Sequence, residues 1–314
     1  MIERATITAA AARIAGDVRR TPLLRLSGAA LGVGCAGLWL KLEHLQIGGS
    51  FKARGMFNRM RSLPVPAAGV IVASGGNAGI AVAQAAKALR VPCEVFVPEM
   101  ATEAKRAALR LLGAQVVVQG AAYADALAAC LQRQRETGAL LMHAYDQPEV
   151  VAGAGTLAAE IEAQMEADGG LPDRVLVSVG GGGLIAGVAA WFESRCRVEA
   201  LEPVGSPTLH AAREAGEPVD VNVGGLAADA LGARRIGHIA WPICQRHVAA
   251  AHLLPEAAIT EAQRLLWREL RLAVEPAAAL PLAALRCGAV KPEPDERIAL
   301  VLCGANFDPS SLTT

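Results

Sequence analysis

Short β-branched runs alternate with alanine-rich helical stretches along most of this chain, and that alternation leaves few folds open. Residues 69–73 read GVIVA, a strand, and after a polar turn Asn77 opens AGIAVAQAAKAL, whose small and apolar residues suit a buried helix. The cycle repeats with CEVFVP at 93–98, a helix over ATEAKRAALRLLG, the strand AQVVVQ at 114–119 and a helix over AYADALAACLQRQRE. Repeated βα units joined by short turns imply a parallel sheet with right-handed crossovers. A second series follows: a helix over 151–167, the strand RVLVSV at 174–179, a helix over LIAGVAAWFES, the strand CRVEALEP and the helix PTLHAAREAG. After a less regular section at 217–250, AITEAQRLLWREL and PAAALPLAAL read as helices and RIALVLC at 297–303 as the last strand. The 314 residues, 53% of them hydrophobic, suffice for two cored lobes with a cleft between them. We therefore expect two α/β lobes, a small one of residues 45–140 and a large one of residues 1–44 and 141–314. The amphipathic N-terminal stretch MIERATITAAAARIAGDVRR is expected to pack back on the larger.

Charge and cysteine usage remove several function classes. Thirty basic residues balance thirty acidic ones without a long run of either sign, so neither nucleic acid nor an anionic membrane is an expected partner. Charges interrupt every alanine-rich stretch before it forms an apolar span, and those within the first twenty residues argue against a secretory signal. Seven cysteines, at 35, 93, 130, 196, 244, 287 and 303, contain no CxxC pair, so a reducing cytoplasm is the expected setting. The six histidines include no HExxH-type pair, which excludes the usual transition-metal signatures. Little sequence follows Cys303, and no C-terminal allosteric domain is expected.

Two glycine-rich segments carry the chemistry. Residues 48–55 read GGSFKARG, and the glycines and Ser50 around Lys52 permit a close backbone approach that would lower its amine into a pocket, with Phe51 packing to fix the loop. Lys52 otherwise reads as a surface charge. Gly180, Gly181, Gly182 and Gly183 follow a strand and precede the helix beginning near Leu184. Glycines there expose consecutive N–H groups at a helix N-terminus, which suits a phosphate as well as it suits a plain tight turn. The run is neither a P-loop nor the spaced dinucleotide fingerprint. Together the segments look like the two halves of a pyridoxal phosphate site, an aldehyde-trapping amine and a phosphate nest.

Two further turns sit where ligands collect in α/β sheets. Ser74, Gly75, Gly76 and Asn77 lie between a strand and a helix, so Asn77 either caps the helix or reaches a cofactor oxygen while Ser74 and the turn's N–H groups receive a carboxylate. Cys303 ends the last strand, either as a small buried hydrophobe or as a contact to a pyridine nitrogen.

At these residues the chain closely resembles the fold type II pyridoxal phosphate enzymes, specifically the serine/threonine dehydratase group. The resemblance runs over KLEHLQIGGSFKARG (41–55), ASGGNAG (73–79), VGGGGLIAG (179–187), the EP at 202–203, GGLAAD (224–229), EPAAA (275–279) and CGANFD (303–308). It implies the two-lobed architecture of the tryptophan synthase β-subunit, each lobe an open twisted sheet flanked by helices, and a homodimer. It also implies that Lys52 is the Schiff-base lysine and that Gly180 through Leu184 surround the phosphate. Phe51 and Gly225 would flank the cofactor, and Ser74, Asn77 and Ala78 would meet the substrate carboxylate and cofactor oxygen, with Gly75 in the same loop. Cys303 resembles the cysteine of liver-type serine dehydratases, where many relatives have serine. Similar serine racemases carry a serine acid/base where this chain has Gly75, which disfavours racemisation. SFKARG departs from the SxKDR pattern of cysteine-synthase-like enzymes.

Similar dehydratases bind a structural cation at the acid after the strand, here Glu202, helped by the positions of Ser206 and Thr208. A K+ ion fits one carboxylate with neutral oxygens better than Mg2+ does, and the alternative is a solvated Glu202. The expected activity is dehydration of L-serine or L-threonine to a 2-oxo acid and ammonia. A bulkier or acidic 3-hydroxy amino acid, such as 3-phenylserine or 3-hydroxyaspartate, is the alternative substrate, and a catalytically silent cofactor-binding regulator the alternative class.

Overall fold

The computed structural model describes residues 2–312. In chain order the elements are α1 (Arg4–Ile14), β1 (Leu23–Leu26), β2 (Gly37–Lys41), α2 (Lys52–Ser62), β3 (Val70–Ala73), α3 (Asn77–Leu89), β4 (Cys93–Val97), α4 (Glu103–Leu111), β5 (Gln115–Val118), α5 (Tyr123–Thr137) and β6 (Leu140–Leu141). They continue as α6 (Pro148–Met165), β7 (Arg174–Ser178), α7 (Gly183–Phe192), β8 (Arg197–Pro203), α8 (Thr208–Ala215), α9 (Ala228–Leu231), α10 (Ala240–His247), β9 (Val248–Leu254), α11 (Glu256–Leu270), α12 (Pro276–Arg286) and β10 (Arg297–Val301).

Two sheets organise them. The smaller has the order β5-β4-β3-β6 and is parallel throughout. The larger has the order β1-β2-β10-β7-β8-β9, parallel except for β1 on β2. In the small sheet from β3, and in the large sheet from β7, the chain winds outward one way and then returns to the other side of that strand, β6 beside β3 and β10 between β7 and β2. Those reversals open a crevice at the carboxyl ends of β3 and β6 and another at those of β7 and β10, where connections leave on opposite faces. A core of buried aliphatic residues from β2, β7, β8, β10, α6, α7 and α12 fills the large lobe, and a separate one built on β3, β4, α2 and α3 fills the small lobe.

The expected βα units are present, with differences that have physical causes. Two-residue β6 falls across the expected 140/141 boundary, too short to leave a pattern. Strand β9, VAAAHLL, is rich in alanine rather than β-branched residues, so the section at 217–250 gave no strand signal although it holds α9, α10 and the start of β9. The N-terminal helix is shorter than the stretch suggested: α1 places Ile7 and Ala10 in the large core and Ile14 in the small one, packing against α6, α2 and α7.

The largest difference is α2. Lys52 is the first residue of an eleven-residue helix rather than a loop residue. Its buried positions include Arg54 and Asn58 beside Met56, Phe57 and Met60, so no apolar stripe betrays it in the sequence. Arg54, 1% exposed, grips Glu43 through Nε and Nη2, both at 2.8 Å, and meets Glu160 of α6 through Nη1 at 2.8 Å and Nη2 at 2.9 Å. Lys41 of β2, fully buried, donates to Glu160 at 2.6 Å, to Gln164 at 2.8 Å and to the Thr21 carbonyl at 2.9 Å. Burial would push the Glu43 carboxyl up, but Arg54, with Lys41 and Thr21, more than offsets it and holds the group below the usual carboxylate range. This cluster joins β2, α2 and α6, and it fixes the helix that carries Lys52. Arg54→Met would leave the buried Glu43 carboxylate without its guanidinium and Glu160 with Lys41 alone, so we expect a stability loss of about 3–5 kcal/mol in urea denaturation. A loss below about 1 kcal/mol, the range of an exposed pair, would remove the cluster from this role.

Candidate active site

Both crevices open into one cavity. From the small sheet come Asn77, after β3, and Tyr145, after β6. From the large sheet come Ser178, the last residue of β7, Gly180 to Leu184 after it, and Cys303, after β10. Phe51 and Lys52 enter at the start of α2, Glu275 and Ala277 at the start of α12. Lys52 and the glycine run, 128 residues apart between Lys52 and Gly180, thus line the same space. A wider groove at the amino ends of the large sheet, between Asp173, Arg195, Arg197 and Arg297, holds no comparable nucleophile, and these arginines are engaged by Asp173, Glu162 and Glu199.

The segment before Lys52 is zipped onto the exit of β10. Phe51 N donates to Cys303 O at 3.0 Å, Ala305 N donates to Gly49 O at 2.9 Å, and Ser50 bridges Gly304. Lys52 Nζ donates to the Ala144 carbonyl at 2.7 Å and lies 5.0 Å from the centre of the Phe51 ring. Desolvation pulls its pKa down to about 8, with Cys303 and Glu275 opposing that shift. A lysine near pH 8 is neutral often enough to act as a nucleophile and base.

The glycine run is a cradle that side chains would fill. A Cβ on Gly181 would lie 2.4 Å from the Tyr145 ring, and Gly182 has φ of +84° at the entry to α7. The carbonyls of this run are spoken for: Gly180 O by Thr208 Oγ1, Gly181 O by Gly237 N at 3.0 Å and Gly182 O by Ala186 N at 2.9 Å. Among the described hydrogen bonds, none has the N–H of Gly180, Gly181 or Gly182 as donor. These N–H groups and the first turn of α7 are therefore available to an anion. Ser178, just before the run, is held by a neighbouring irregularity. Pro281 lacks the N–H that would bond Ala277 O within α12, and Ser178 Oγ donates to that carbonyl at 2.6 Å instead.

Cys303 is 3% exposed, and burial first, then Glu275, pushes its thiol well above the usual range, so it stays protonated. Asn77 differs from the capping alternative: Gly76 is the N-cap, no side chain caps α3, and the Asn77 carboxamide bonds Glu275 and Asn306 instead. Ser74 and Gly75 stand in the turn after β3 and Ala78 is buried in the first turn of α3; none of the three lines the cavity with Lys52. A Cβ on Gly75 would sit 3.3 Å from Val97 Cγ1. Gly225, φ +85°, also stands outside that lining, packed against Glu256, while Leu226, Ala227 and Asp229 border an adjoining vestibule with Gly76, Asn77 and Glu275.

Glu202 is fully buried at the end of β8 and faces the start of α8. Its oxygens accept from Leu209 N at 2.7 Å and His210 N at 2.8 Å, and Thr208 Oγ1 is 3.0 Å away. Burial raises its pKa to about 7 despite these donors. Ser206 Oγ points at Gly224 O, 3.4 Å away. The solvated alternative is thus excluded. Among the described residues no group of three or more His, Cys, Asp or Glu side chains could hold a metal ion.

The sequence profile of the pyridoxal-phosphate dependent enzymes matches residues 14–304. The chain belongs to the fold type II pyridoxal-phosphate dependent enzymes. It is 37% identical over 308 residues to an L-threonine ammonia-lyase of Geobacter sulfurreducens, covering 96% of this chain and 75% of that protein. It is 33% identical over 309 residues to a serine racemase of Arabidopsis thaliana, covering 96% and 92%. A crystal structure of a threonine deaminase from T.th. superposes with a TM-score of 0.90 at 37% identity, covering 98% of this chain and 99% of that one. The cofactor of this pyridoxal-phosphate dependent enzyme is pyridoxal 5'-phosphate, and the free N–H groups, the cradle and the desolvated Lys52 amine fit it. Tyr145, Ser178, Glu275 and Asn306 escaped the sequence reading. Glu275 and Asn306 stood inside the quoted motifs, whereas Tyr145, behind a two-residue strand, had no signal.

Because only the neutral Lys52 amine attacks an aldehyde, uptake of the cofactor by the apo-protein should accelerate as pH rises through about 8 and level off above it. Stopped-flow absorbance between mildly acidic and alkaline pH measures this, and a rate still climbing towards the ordinary lysine range would contradict the lowered pKa.

Proposed function

We propose that this enzyme eliminates water from L-serine or L-threonine, releasing a 2-oxo acid and ammonia. The observation that carries the proposal is a single basic side chain, Lys52, in the cavity, with Gly75 on the substrate loop where an acid/base serine would be needed for proton exchange from the other side. When bound, the cofactor supplies an electron sink for the substrate Cα and a phosphate able to protonate the leaving hydroxyl. In this reading Gly180 to Leu184 hold the phosphate, Phe51 packs beside the ring, and the protonated Cys303 thiol meets the ring nitrogen. Asn77 donates to the phenolic oxygen, and the turn of Ser74, Gly75, Asn77 and Ala78 receives the substrate carboxylate, with Gly225 at the outer edge. Lys52 would carry the cofactor between turnovers and, with substrate in place, would take the proton from the substrate Cα. The relatives named threonine ammonia-lyase and threonine deaminase support this chemistry, and Gly75 is what weighs against the racemisation named for the Arabidopsis relative.

Purified holoenzyme given L-serine and L-threonine should form pyruvate or 2-oxobutanoate, and Lys52→Ala should lower kcat by at least about 10²-fold. D-serine formation without a 2-oxo acid would overturn the proposal. We read residues 45–140 as the small domain that closes on residues 1–44 and 141–314, which exclude water from the reacting carbon. The homodimer rests on the resemblance. A cytoplasmic setting rests on seven free cysteines, and among the described residues no helix is long and apolar enough to cross a membrane.

We further propose that K+ binds beside Glu202, using its carboxylate, the Thr208 hydroxyl, the Gly180 carbonyl and the backbone at Ser206. Thr208 Oγ1 lies between Glu202 and Gly180, so an ion there would brace the phosphate loop. The melting temperature should be higher in K+ than in tetramethylammonium salt, and lose that difference in Glu202→Ala. Equal melting of the wild-type protein in both salts would dismiss the site.

A further inference from the structure

A one-way chain of hydrogen bonds crosses the cleft. Asn306, in the turn after β10, donates from Nδ2 to Gly48 O at 2.8 Å and to Asn77 Oδ1 at 2.6 Å. Asn77 donates in turn from Nδ2 to Glu275 Oε1 at 2.9 Å and Oε2 at 3.0 Å. The direction is forced from the Gly48 end. Gly48 O only accepts, so Asn306 turns its Nδ2 towards it; the second N–H of that group meets Asn77 Oδ1, which leaves Asn77 Nδ2 facing Glu275. Gly49, with φ of +75°, makes room for this: a Cβ there would lie 2.7 Å from Asn306 Oδ1.

The second link leaves one donor over. The two oxygens of a single carboxylate stand too close together, seen from Asn77 Nδ2, to receive its two divergent N–H bonds separately. Glu275 therefore engages one N–H and the other is free, on a residue that lines the cavity with Lys52 and Cys303. Glu275 is 4% exposed and borders both this cavity and the vestibule. Burial raises its pKa to about 7, and the bond from Asn77 partly offsets that.

We infer that Glu275 and Asn306 are positioning residues that lock the Asn77 carboxamide in the orientation that presents an N–H, and never its oxygen, to the phenolic oxygen of the cofactor. The inference rests on the placement of Asn77 in the proposed function. Without the lock the carboxamide could turn over, and its oxygen would then repel the cofactor oxygen. The chain also ties the lysine loop, through Gly48, to the substrate loop, through Asn77, so both loops share one hydrogen-bonded register.

Asn306→Asp puts an acceptor where both Gly48 O and Asn77 Oδ1 need a donor, and Glu275→Gln keeps the shape while offering Asn77 either polarity. Both variants should shift the visible absorption band of the bound cofactor without substrate, and move the pH midpoint of that band. Asn306→Asp should do so more strongly. Each should lower kcat by about tenfold or more while changing KM by less than about twofold. Apo-protein melting and cofactor affinity are measured alongside, and should Asn306→Asp fail to fold, Glu275→Gln decides. An unmoved band and midpoint, with kcat within about twofold of wild type, overturns the inference while leaving the dehydratase reading intact. Should the wild type turn over neither serine nor threonine, the band and its midpoint still decide the inference by themselves.

Discussion

Both sheets reverse their strand order, and the reversals are the constraint on which the rest of the molecule depends. A parallel sheet wound in one direction covers its carboxyl edge evenly, whereas a reversal leaves a gap between connections that depart on opposite faces. Here β3 and β6 leave such a gap in the small sheet, and β7 and β10 leave one in the large. Asn77, Tyr145, the glycine run and Cys303 come from the four loops that border the two gaps, and all line one cavity. The site is thus assembled by topology first and by side-chain chemistry second.

Topology alone would leave the attacking amine unplaced, because Lys52 belongs to neither gap. It is set by the helix that follows it. Arg54, two residues on, is held by Glu43 and Glu160, so α2 is pinned to the large lobe from below while Phe51 N and Gly49 O pin the preceding segment to the β10 exit. A buried ion cluster is a weak source of net stability, since desolvation costs about as much as the pairing returns. Its use here is positional: four charged side chains on β2, the turn after it, α2 and α6, with their partners, have few other arrangements that satisfy them all.

Much of this was legible in the sequence, and the illegible parts share a cause. Units such as GVIVA followed by AGIAVAQAAKAL declare themselves because strand and helix periodicities differ and both are buried against apolar neighbours. Helix α2 and strand β9 did not, because one hides polar side chains in its buried faces and the other is built of alanine. The lysine and glycine motifs pointed to the cofactor, through what their resemblance to a known family implies. Glu275 and Asn306 lay inside motifs already noticed, yet their meaning depends on Asn77, roughly two hundred residues away in sequence, which only three-dimensional contact supplies. The capping alternative for Asn77 failed for the same reason: local rules favour a cap, but Asn306 Nδ2 occupies the side-chain oxygen that a cap would use, while Glu275 takes the N–H.

The electrostatics of the cavity follow from this arrangement. Every titratable group that burial can reach is pushed towards its neutral form: Lys52 down to about 8, Glu275 up to about 7, Cys303 well above the usual thiol range. No arginine lines the cavity, since Arg54 is spent beneath it. A phosphate placed there meets oriented backbone N–H groups and the positive end of α7 rather than a fixed cation, and the amine beside it stays free for chemistry. On the proposed reading the protonated thiol offers the ring nitrogen no negative charge, so the nitrogen is not held protonated as it would be by an aspartate. The cofactor would then supply a weaker electron sink, which would favour prompt loss of the β-hydroxyl over slow proton exchange at the substrate Cα. Elimination then needs only one well-placed base, and Lys52 is the one amine lining the cavity.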